Sequence, residues 1–266
     1  MGHIGQVIGY GSSTRAHGLH RNRTEAVKPK DEICPGCDGI PFTPVAARIG
    51  LFTDPERSFI FCPMERDLHP VTGRLLGRPH KETLLRQRSC ALWLTGLSGS
   101  GKTTLAIRLE RELHRRGRLC QVLDGDNIRT GINGDLGFST EDRQENIRRI
   151  AEVSKLLLDC GVITLNCFIS PLTDMRALAR KIISPTDFIE VFVDAPLSIC
   201  EDRDVKGMYK RARAGLIPNF TGIGAPYEAP TDPQIHLKTS ERSIDECTVE
   251  LLDVILSKIS IDVVDE

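Results

Sequence analysis

The sequence predicts an α/β fold with three layers, in which helices cover both faces of a mainly parallel sheet. Two features of the 266 residues indicate it. From Ala91 onward, short apolar runs alternate with amphipathic stretches, as expected for βα units around a parallel sheet. A glycine-rich turn separates the first apolar run from the amphipathic stretch after it. A single α/β domain is therefore predicted over residues 89–266.

The individual elements follow from periodicity and from residues that begin or end helices. The predicted strands are apolar runs, namely Ala91–Thr95, Leu119–Leu123, Val162–Phe168, Phe188–Asp194 and Gln234–Leu237. The predicted helices share an apolar stripe, and they are Lys102–Arg116, Asp142–Cys160, Asp174–Ile183 and a final helix after Ser243. Gly117 and Gly161 lie where the first two helices should end. Ser243 and Glu246 have the spacing of a capping box. A basic section rich in Gly and Pro, residues 203–230, interrupts the pattern.

Residues 1–88 differ from the rest of the chain. They are rich in Gly, Pro, Arg and His, and their apolar residues show no sustained helical or strand period. We expect an irregular extension here. Cys34, Cys37 and Cys62, with His69, leave a structural zinc site open as an alternative. An extension without metal is favoured, because the spacing lacks a second cysteine pair or a histidine pair.

The composition limits the partners and the compartment. The formal net charge is −1, so bulk electrostatics favours neither a nucleic acid nor an acidic membrane, and a small-molecule substrate is expected. No apolar run reaches the roughly 20 residues that cross a bilayer, and the polar start of the sequence does not resemble a secretory signal. The nine cysteines are an odd number, and we expect a reducing compartment without a disulfide framework. A cytoplasmic protein is therefore predicted.

A phosphate-binding loop follows the first predicted strand. Its residues match the Walker A pattern and are Gly96, Leu97, Ser98, Gly99, Ser100, Gly101, Lys102 and Thr103. Small residues let backbone N–H groups surround phosphates, and the positive end of the following helix favours anions. Lys102 would contact the β- and γ-phosphates of ATP, Thr103 would ligate Mg²⁺, and Thr104 would assist. The motif in this position indicates a P-loop NTPase fold and an ATP-dependent phosphotransferase.

Two carboxylates follow the second predicted strand. Asp124 and Asp126 are expected at the carboxyl edge of the sheet, where open α/β folds bind ligands. One could hold Mg²⁺ through water, and the other could accept a proton from an attacking hydroxyl. We favour Asp126 as the base or metal organiser, with Asp124 close behind. An Asp-Gly turn with a helix cap is the alternative reading of these residues.

Several segments in a fixed order resemble the adenylyl-sulfate kinase family. They are Gly96–Thr104, Leu123–Arg129, Asp135–Phe138, Glu141–Arg149, Phe168–Pro171, Phe188–Asp194, Lys206–Lys210, Ala212–Gly215, Phe220–Ile223 and Ala225–Pro230, within residues 69–260. The resemblance implies transfer of the γ-phosphoryl group of ATP to the 3′-hydroxyl of adenosine 5′-phosphosulfate. The products would be 3′-phosphoadenosine 5′-phosphosulfate and ADP. The resemblance also implies a homodimer.

The resemblance further implies which residues bind the acceptor. Arg129 and Arg143 would pair with the anionic phosphosulfate, and Asn146 would supply neutral hydrogen bonds. Phe138 and Phe220 match the family's two aromatic residues that sandwich the adenine, where stacking contributes to affinity. For either phenylalanine alone, a place in the core is the alternative.

A loop and a lid complete the implied site. Ile169 and Ser170 match the family's substrate-lining loop, and Ser170 is also a candidate catalytic residue and phosphorylation site. A Ser-Pro turn at the end of a strand is the alternative for Ser170. The basic stretch Arg203–Arg213 resembles a lid over ATP, with Lys206 as its main contact. Closing such a lid would exclude water from the reaction.

Two other functions remain open from the sequence. A P-loop kinase for another small hydroxyl acceptor is one, although the aromatic and arginine residues named above speak against it. A non-catalytic sensor of the phosphorylated product is the other, although the intact phosphate-binding loop favours catalysis. Leu172, Thr173 and Val205 depart from the usual family pattern. None of these three removes a residue of the loop, the metal site or the aromatic pair.

Overall fold

The computed structural model describes residues 69–261, and its centre is a sheet of five parallel strands. The strands are β1 (Ala91–Thr95), β2 (Cys120–Asp124), β3 (Ile163–Cys167), β4 (Phe188–Asp194) and β5 (Ile235–Lys238). They are hydrogen-bonded in the order β2-β3-β1-β4-β5. β1 therefore lies in the middle, where all of its residues are buried. Because parallel strands end at the same edge, the segments that follow them meet there.

Helices connect and flank the strands. They are α1 (Arg78–Leu85), α2 (Lys102–Arg115), α3 (Gly125–Arg129), α4 (Thr140–Leu158), α5 (Thr173–Ile183), α6 (Leu197–Arg203), α7 (Met208–Arg213) and α8 (Ile244–Ile259). The predicted capping box of Ser243 and Glu246 is confirmed at the start of α8. Such caps satisfy backbone N–H groups that lack a partner inside the helix.

Two apolar cores separate the sheet from its helices. One core contains Leu109 of α2 and Leu251 of α8, packed against one face of the strands. The other contains Ile150 of α4, Met175 of α5 and the fully buried Trp93 of β1. Helices thus cover both faces of a parallel sheet, and the predicted three-layer α/β/α fold is confirmed.

The element bounds are close to those predicted. β1 and β4 have the predicted ends, and the other predicted strands differ from the observed ones by one residue at each end. The helix predicted from Asp142 to Cys160 begins and ends earlier, at Thr140 and Leu158. It begins earlier because the side chain of Ser139 accepts the backbone N–H of Asp142 and caps the helix.

Helix α1 lies in the region predicted to be irregular, and that prediction is wrong for Arg78–Leu85. The helix buries none of its residues, so it has no apolar stripe that periodicity could reveal. Polar contacts hold it and the residues after it instead. Arg78 donates to the Asp187 carboxylate at 2.6 Å, and the side-chain amide of Gln87 donates to the Gly161 carbonyl at 2.8 Å.

Two short helices, α6 and α7, bracket the start of the basic section in which no element was predicted. Among the helices of residues 69–261, none combines the length and apolarity needed to cross a membrane. The cysteines considered for zinc, Cys34, Cys37 and Cys62, lie outside the described residues.

Candidate active site

The turn between β1 and α2 passes very close to β4. We call Gly96–Thr103 the phosphate loop. A side chain at Gly96 would place its Cβ 2.3 Å from the carbonyl oxygen of Val193, so glycine is required there. Gly101 has a φ of 104°, in the left-handed region that glycine tolerates, and α2 begins at the next residue. The loop therefore leads directly into a helix N-terminus, where backbone N–H groups lack partners within the helix.

Side chains from distant segments hold three successive carbonyl groups of the phosphate loop. The carbonyl of Ser98 accepts from Tyr209 Oη at 2.8 Å, that of Gly99 from Arg203 Nη1 at 3.2 Å, and that of Ser100 from Thr239 Oγ1 at 2.7 Å. In a trans peptide, C=O and the next N–H point in opposite directions. Anchoring these carbonyls therefore turns N–H groups of the loop away from the supporting side chains, as an anion-binding loop needs.

Lys102 is buried at the start of α2, with 8% of its surface exposed. Its ammonium group donates to the carbonyls of Gly96 and Leu97 at 2.9 and 2.7 Å. Burial lowers the pKa of Lys102 to about 8, because desolvation disfavours the charged form. A triphosphate beside this amine would restore its charge. Thr104, the predicted helper, is exposed.

Thr103 meets Asp124 at the end of β2. The Thr103 hydroxyl donates to Asp124 Oδ2 at 2.7 Å, while Asp124 Oδ1 accepts the N–H of Asp126 at 3.0 Å and caps α3. The helix cap considered for these residues is therefore present. Asp124 is buried and Asp126 is exposed. The sequence grouped Thr103 with Asp126 as the metal pair, but the structure joins Thr103 to Asp124.

Asp126 pairs with Lys206, which lies in the segment between α6 and α7. Both side chains are largely exposed. The hydrogen bond that Lys206 donates to the Asp126 carboxylate raises the pKa of Lys206 above its ordinary value. The two aspartates therefore differ in their surroundings: buried Asp124 contacts Thr103 of the phosphate loop, and exposed Asp126 contacts Lys206 of the basic section.

Arg129 covers one of the two aromatic residues. Its guanidinium lies 4.5 Å from the ring centroid of Phe138, which is 65% exposed. Arg129 Nη1 also donates to the carbonyls of Leu136 and Gly137 at 3.0 and 2.7 Å. Arg129 thus holds the loop that carries Phe138 and occupies the face of its ring.

Arg143 bridges the segments that carry the two aromatic residues. Its Nε donates to the carbonyl of Phe138 at 3.0 Å, and its Nη1 and Nη2 donate to Thr221 Oγ1 at 2.6 Å and the Asn219 carbonyl at 2.8 Å. Phe220, between the last two partners, is only 8% exposed. The structure therefore joins the segments of Phe138 and Phe220, which are far apart in sequence, through one guanidinium.

Asn146 of α4 is buried, and its side-chain oxygen accepts from Asn133 Nδ2 at 2.9 Å. This bond orients the amide group that the sequence assigned to the acceptor. The sequence did not identify Asn133, because an asparagine in a turn-rich segment carries no signal for a partner on a later helix.

Ser170 is buried after β3, at a φ of 37°. Its hydroxyl accepts the indole N–H of Trp93 at 3.1 Å, and its carbonyl accepts from Arg176 Nη1 at 2.9 Å. The carbonyl of the neighbouring Ile169 accepts from Thr95 Oγ1 at 2.7 Å. These contacts give Ser170 a structural role at the sheet edge, and its contact with the acceptor stays a prediction.

Tyr209, Arg203 and Thr239 support the phosphate loop, yet sequence reasoning assigned none of them to it. Each contacts a loop residue more than a hundred positions away. Tyr209 and Arg203 lie within or beside the segments that resemble the adenylyl-sulfate kinase family. That resemblance was the only sequence signal that could have marked them as functional. Their partners could be found only from the fold.

The fold and the site define a P-loop phosphotransferase, with a Walker loop between β1 and α2 and a Thr–Asp pair beside it. The family model described as adenylylsulphate kinase matches residues 88–238. The adenylyl-sulfate kinase of Bacteroides fragilis is 58% identical over 194 residues, which are 73% of this chain and 96% of that protein. This chain therefore belongs to the adenylylsulphate kinase family.

Solved structures of the same family are similar as well. The structure of the Mycobacterium tuberculosis APS kinase CysC in complex with AMPPNP and APS has a TM-score of 0.61 and 52% identity. The match covers 63% of this chain and 97% of that chain. A hexameric APS kinase from Thiobacillus denitrificans has a TM-score of 0.50 and 28% identity, over 67% of this chain and 31% of that one.

Proposed function

We propose that this chain transfers the γ-phosphoryl group of ATP to the 3′-hydroxyl of adenosine 5′-phosphosulfate, which yields 3′-phosphoadenosine 5′-phosphosulfate and ADP. One observation carries the proposal. This chain keeps Lys102 and Asp124 buried at the phosphate loop, and the hydroxyl of the partly buried Thr103 donates to Asp124. The substrate-bound APS kinase of Mycobacterium tuberculosis, 52% identical, supports the same acceptor.

The phosphate loop accounts for most of the chemistry. Phosphoryl transfer passes through a loose transition state, so catalysis depends mainly on positioning and on neutralising charge around the migrating group. Lys102 moves from the carbonyls of Gly96 and Leu97 to the phosphates, because a phosphate oxygen is the stronger partner for an ammonium. Since Lys102 is buried, its charge acts where water screens it little.

The residues beside the loop fit Mg²⁺. Thr103 and Asp124 present a hydroxyl and a carboxylate oxygen 2.7 Å apart at the loop. Mg²⁺ in kinases commonly uses few protein oxygens and takes its other ligands from phosphates and water. Among the described residues, no group of three or more His, Cys, Asp and Glu side chains is placed to hold a metal ion, and this type of site needs none. When bound, Mg²⁺ would neutralise charge on the β- and γ-phosphates.

Asp126 is the proposed proton acceptor for the 3′-hydroxyl. It lies two residues after Asp124 on the same edge of the sheet, and it is exposed to an incoming ligand. Asp126 forms an ion pair with Lys206, a residue of the proposed lid. In the substrate complex, Lys206 would exchange this carboxylate for phosphate oxygens and free Asp126 for the acceptor.

The aromatic pair, Phe138 and Phe220, would sandwich the adenine of the acceptor. Phe138 is exposed and accessible to a ligand once Arg129 leaves its ring face. Arg129 would then turn to the phosphosulfate, whose negative charge attracts it more strongly than an aromatic ring does. Arg143, Asn146, Ile169 and Ser170 would line or support the rest of this pocket.

We further propose a homodimer, a cytoplasmic location, and a kinase domain that includes α1. The domain boundary is supported by the Arg78–Asp187 ion pair, which ties α1 to the residue before β4. Removing residues 1–88 should lower the melting temperature of the kinase domain, because it removes Arg78 and its ion pair with Asp187. Light scattering of the full chain tests the homodimer directly.

The decisive experiment measures ADP release by the full chain with Mg-ATP. Adenosine 5′-phosphosulfate would be compared with no acceptor and with a panel of sugars, sugar acids and nucleosides. Rapid release only with adenosine 5′-phosphosulfate, together with the 3′-phosphorylated product, is expected. Binding without turnover would favour a sensor, and turnover of another acceptor would overturn the assigned substrate.

A further inference from the structure

A third apolar cluster lies apart from the two cores and contains parts of both halves of the site. Its buried members are Ala195, Cys200, Tyr209, Ala212 and Phe220. Leu97 of the phosphate loop, partly buried, packs against the same cluster. A residue that belongs to the ATP side and a residue proposed for the acceptor side are therefore packed into one small unit.

Tyr209 of α7 makes a specific contact with each side. Its hydroxyl donates to the Ser98 carbonyl of the phosphate loop at 2.8 Å. Its ring meets Phe220 edge to face, with centroids 5.0 Å apart and planes at 80°. Tyr209 is 2% exposed, so it contacts these two residues rather than a ligand.

The position of Tyr209 is well determined by its surroundings. The backbone N–H groups of Tyr209 and Lys210 donate to the two carboxylate oxygens of Asp204, each at 3.0 Å, which anchors the first turn of α7. On the other side of the cluster, the segment of Phe220 packs against Leu97. A Cβ at Gly222, just after Phe220, would lie 3.2 Å from Leu97 Cδ2. Leu97 and the segment of Phe220 thus pack closely, and neither can shift far alone.

We propose that Tyr209 is a positioning residue that couples nucleotide binding to acceptor binding, an inference that rests on the proposed function. Phosphates bound in the loop would fix the position of Ser98, whose carbonyl accepts the Tyr209 hydroxyl. The ring of Tyr209 in turn packs against Phe220 and keeps it in the orientation that stacks on the acceptor base. The first ligand thereby contributes to the ordering that the second one requires. Such coupling is reciprocal, so the acceptor strengthens nucleotide binding by the same factor.

The test uses calorimetric titration of the full chain. The affinity for adenosine 5′-phosphosulfate is measured without nucleotide and with saturating Mg-AMPPNP, and the ratio of the two dissociation constants is the coupling factor. The wild-type factor is expected to exceed about 5. In Tyr209→Phe, which keeps the ring and loses the hydroxyl, the factor should fall about two- to tenfold, the effect of one hydrogen bond.

Tyr227→Phe is the matched control, because it removes a tyrosine hydroxyl whose partner is Thr95 rather than the phosphate loop. Its coupling factor should equal that of the wild type. A coupling factor near 1 in the wild type would overturn the inference. So would an unchanged factor in Tyr209→Phe, that is, the same loss of acceptor affinity with and without Mg-AMPPNP. If the wild type does not phosphorylate adenosine 5′-phosphosulfate at all, the proposed function itself fails, and the ADP-release assay identifies that case.

Discussion

The ATP side and the acceptor side of this site are built in different ways. The phosphate loop is one continuous run between the buried strand β1 and helix α2, and its lysine is 8% exposed. The residues proposed to bind the acceptor come from separate segments, joined by hydrogen bonds such as those of Arg143, and Phe138 is 65% exposed. The phosphate loop is thus preformed by the fold, whereas the proposed acceptor side is assembled from separate segments and would rearrange around its ligand.

The largest effect is expected on the preformed side, from Lys102→Ala. Removing one charge-stabilising donor from such a site commonly lowers kcat by about 10²–10³-fold, and Lys102 contributes a full charge. The fold should be retained, as measured by circular dichroism. Lys155→Ala, at an exposed position of α4, is the control and should keep wild-type kcat. Turnover near the wild-type rate in Lys102→Ala would remove the phosphate loop from the mechanism.

The two aspartates should differ in the next largest effect. Asp126→Asn removes the proposed base and should lower kcat by about 10²-fold with little change in melting temperature, because Asp126 is exposed. Asp124→Asn weakens the partner of Thr103 and the cap of α3, so it should also lower the melting temperature. Rates and melting curves of both variants decide the assignment. A normal rate in Asp126→Asn would transfer the role of base to another group.

The aromatic pair tests the acceptor side. Stacking on a base contributes about 1–3 kcal/mol, so Phe220→Ala should raise the KM for adenosine 5′-phosphosulfate about 5- to 150-fold and the KM for ATP much less. Phe138→Ala should raise the acceptor KM similarly. Only Phe220→Ala should lower the melting temperature, because only Phe220 is buried. A normal acceptor KM in both variants would contradict the aromatic sandwich.

The smallest expected effect is a pH dependence on the ATP side. The pKa of Lys102 is about 8 without ligand, because burial disfavours its charge, and phosphates bind the protonated form. Affinity for Mg-ADP should be full below pH 8. It should fall by up to about tenfold per pH unit above pH 8, until the pKa of the bound state is reached.

Calorimetry at several pH values measures this dependence, with Lys102→Met as the variant without the titrating group. Its affinity should be lower and nearly constant over the same range. A constant wild-type affinity from about pH 7 to 9.5 would show that Lys102 keeps its ordinary pKa, and thus that burial in the loop is offset by its carbonyl partners.

Much of the fold could be predicted because its signals are local. The strand Ala91–Thr95 is apolar throughout, and the capping box at Ser243 lies within one turn of helix, so each could be identified without knowing the rest of the chain. Helix α1 was not predicted, because it buries no side chain and depends on a distant partner, Asp187. Apolar periodicity indicates a helix with a buried face, and α1 has no buried residue.

The sequence by itself determined the three-layer fold through its alternating apolar runs, and the family through segments in a fixed order. It also determined the phosphate loop, because a Walker loop needs small residues and a lysine at fixed spacing between a strand and a helix. Only the tertiary structure decided that Thr103 joins Asp124, that Asp126 faces Lys206, and that Tyr209 connects the phosphate loop to Phe220. The pairs Thr103–Asp124, Asp126–Lys206 and Ser98–Tyr209 are 21, 80 and 111 residues apart in sequence. The order of the strands and the packing of α7 bring these residues together, and neither can be predicted from a short stretch of sequence.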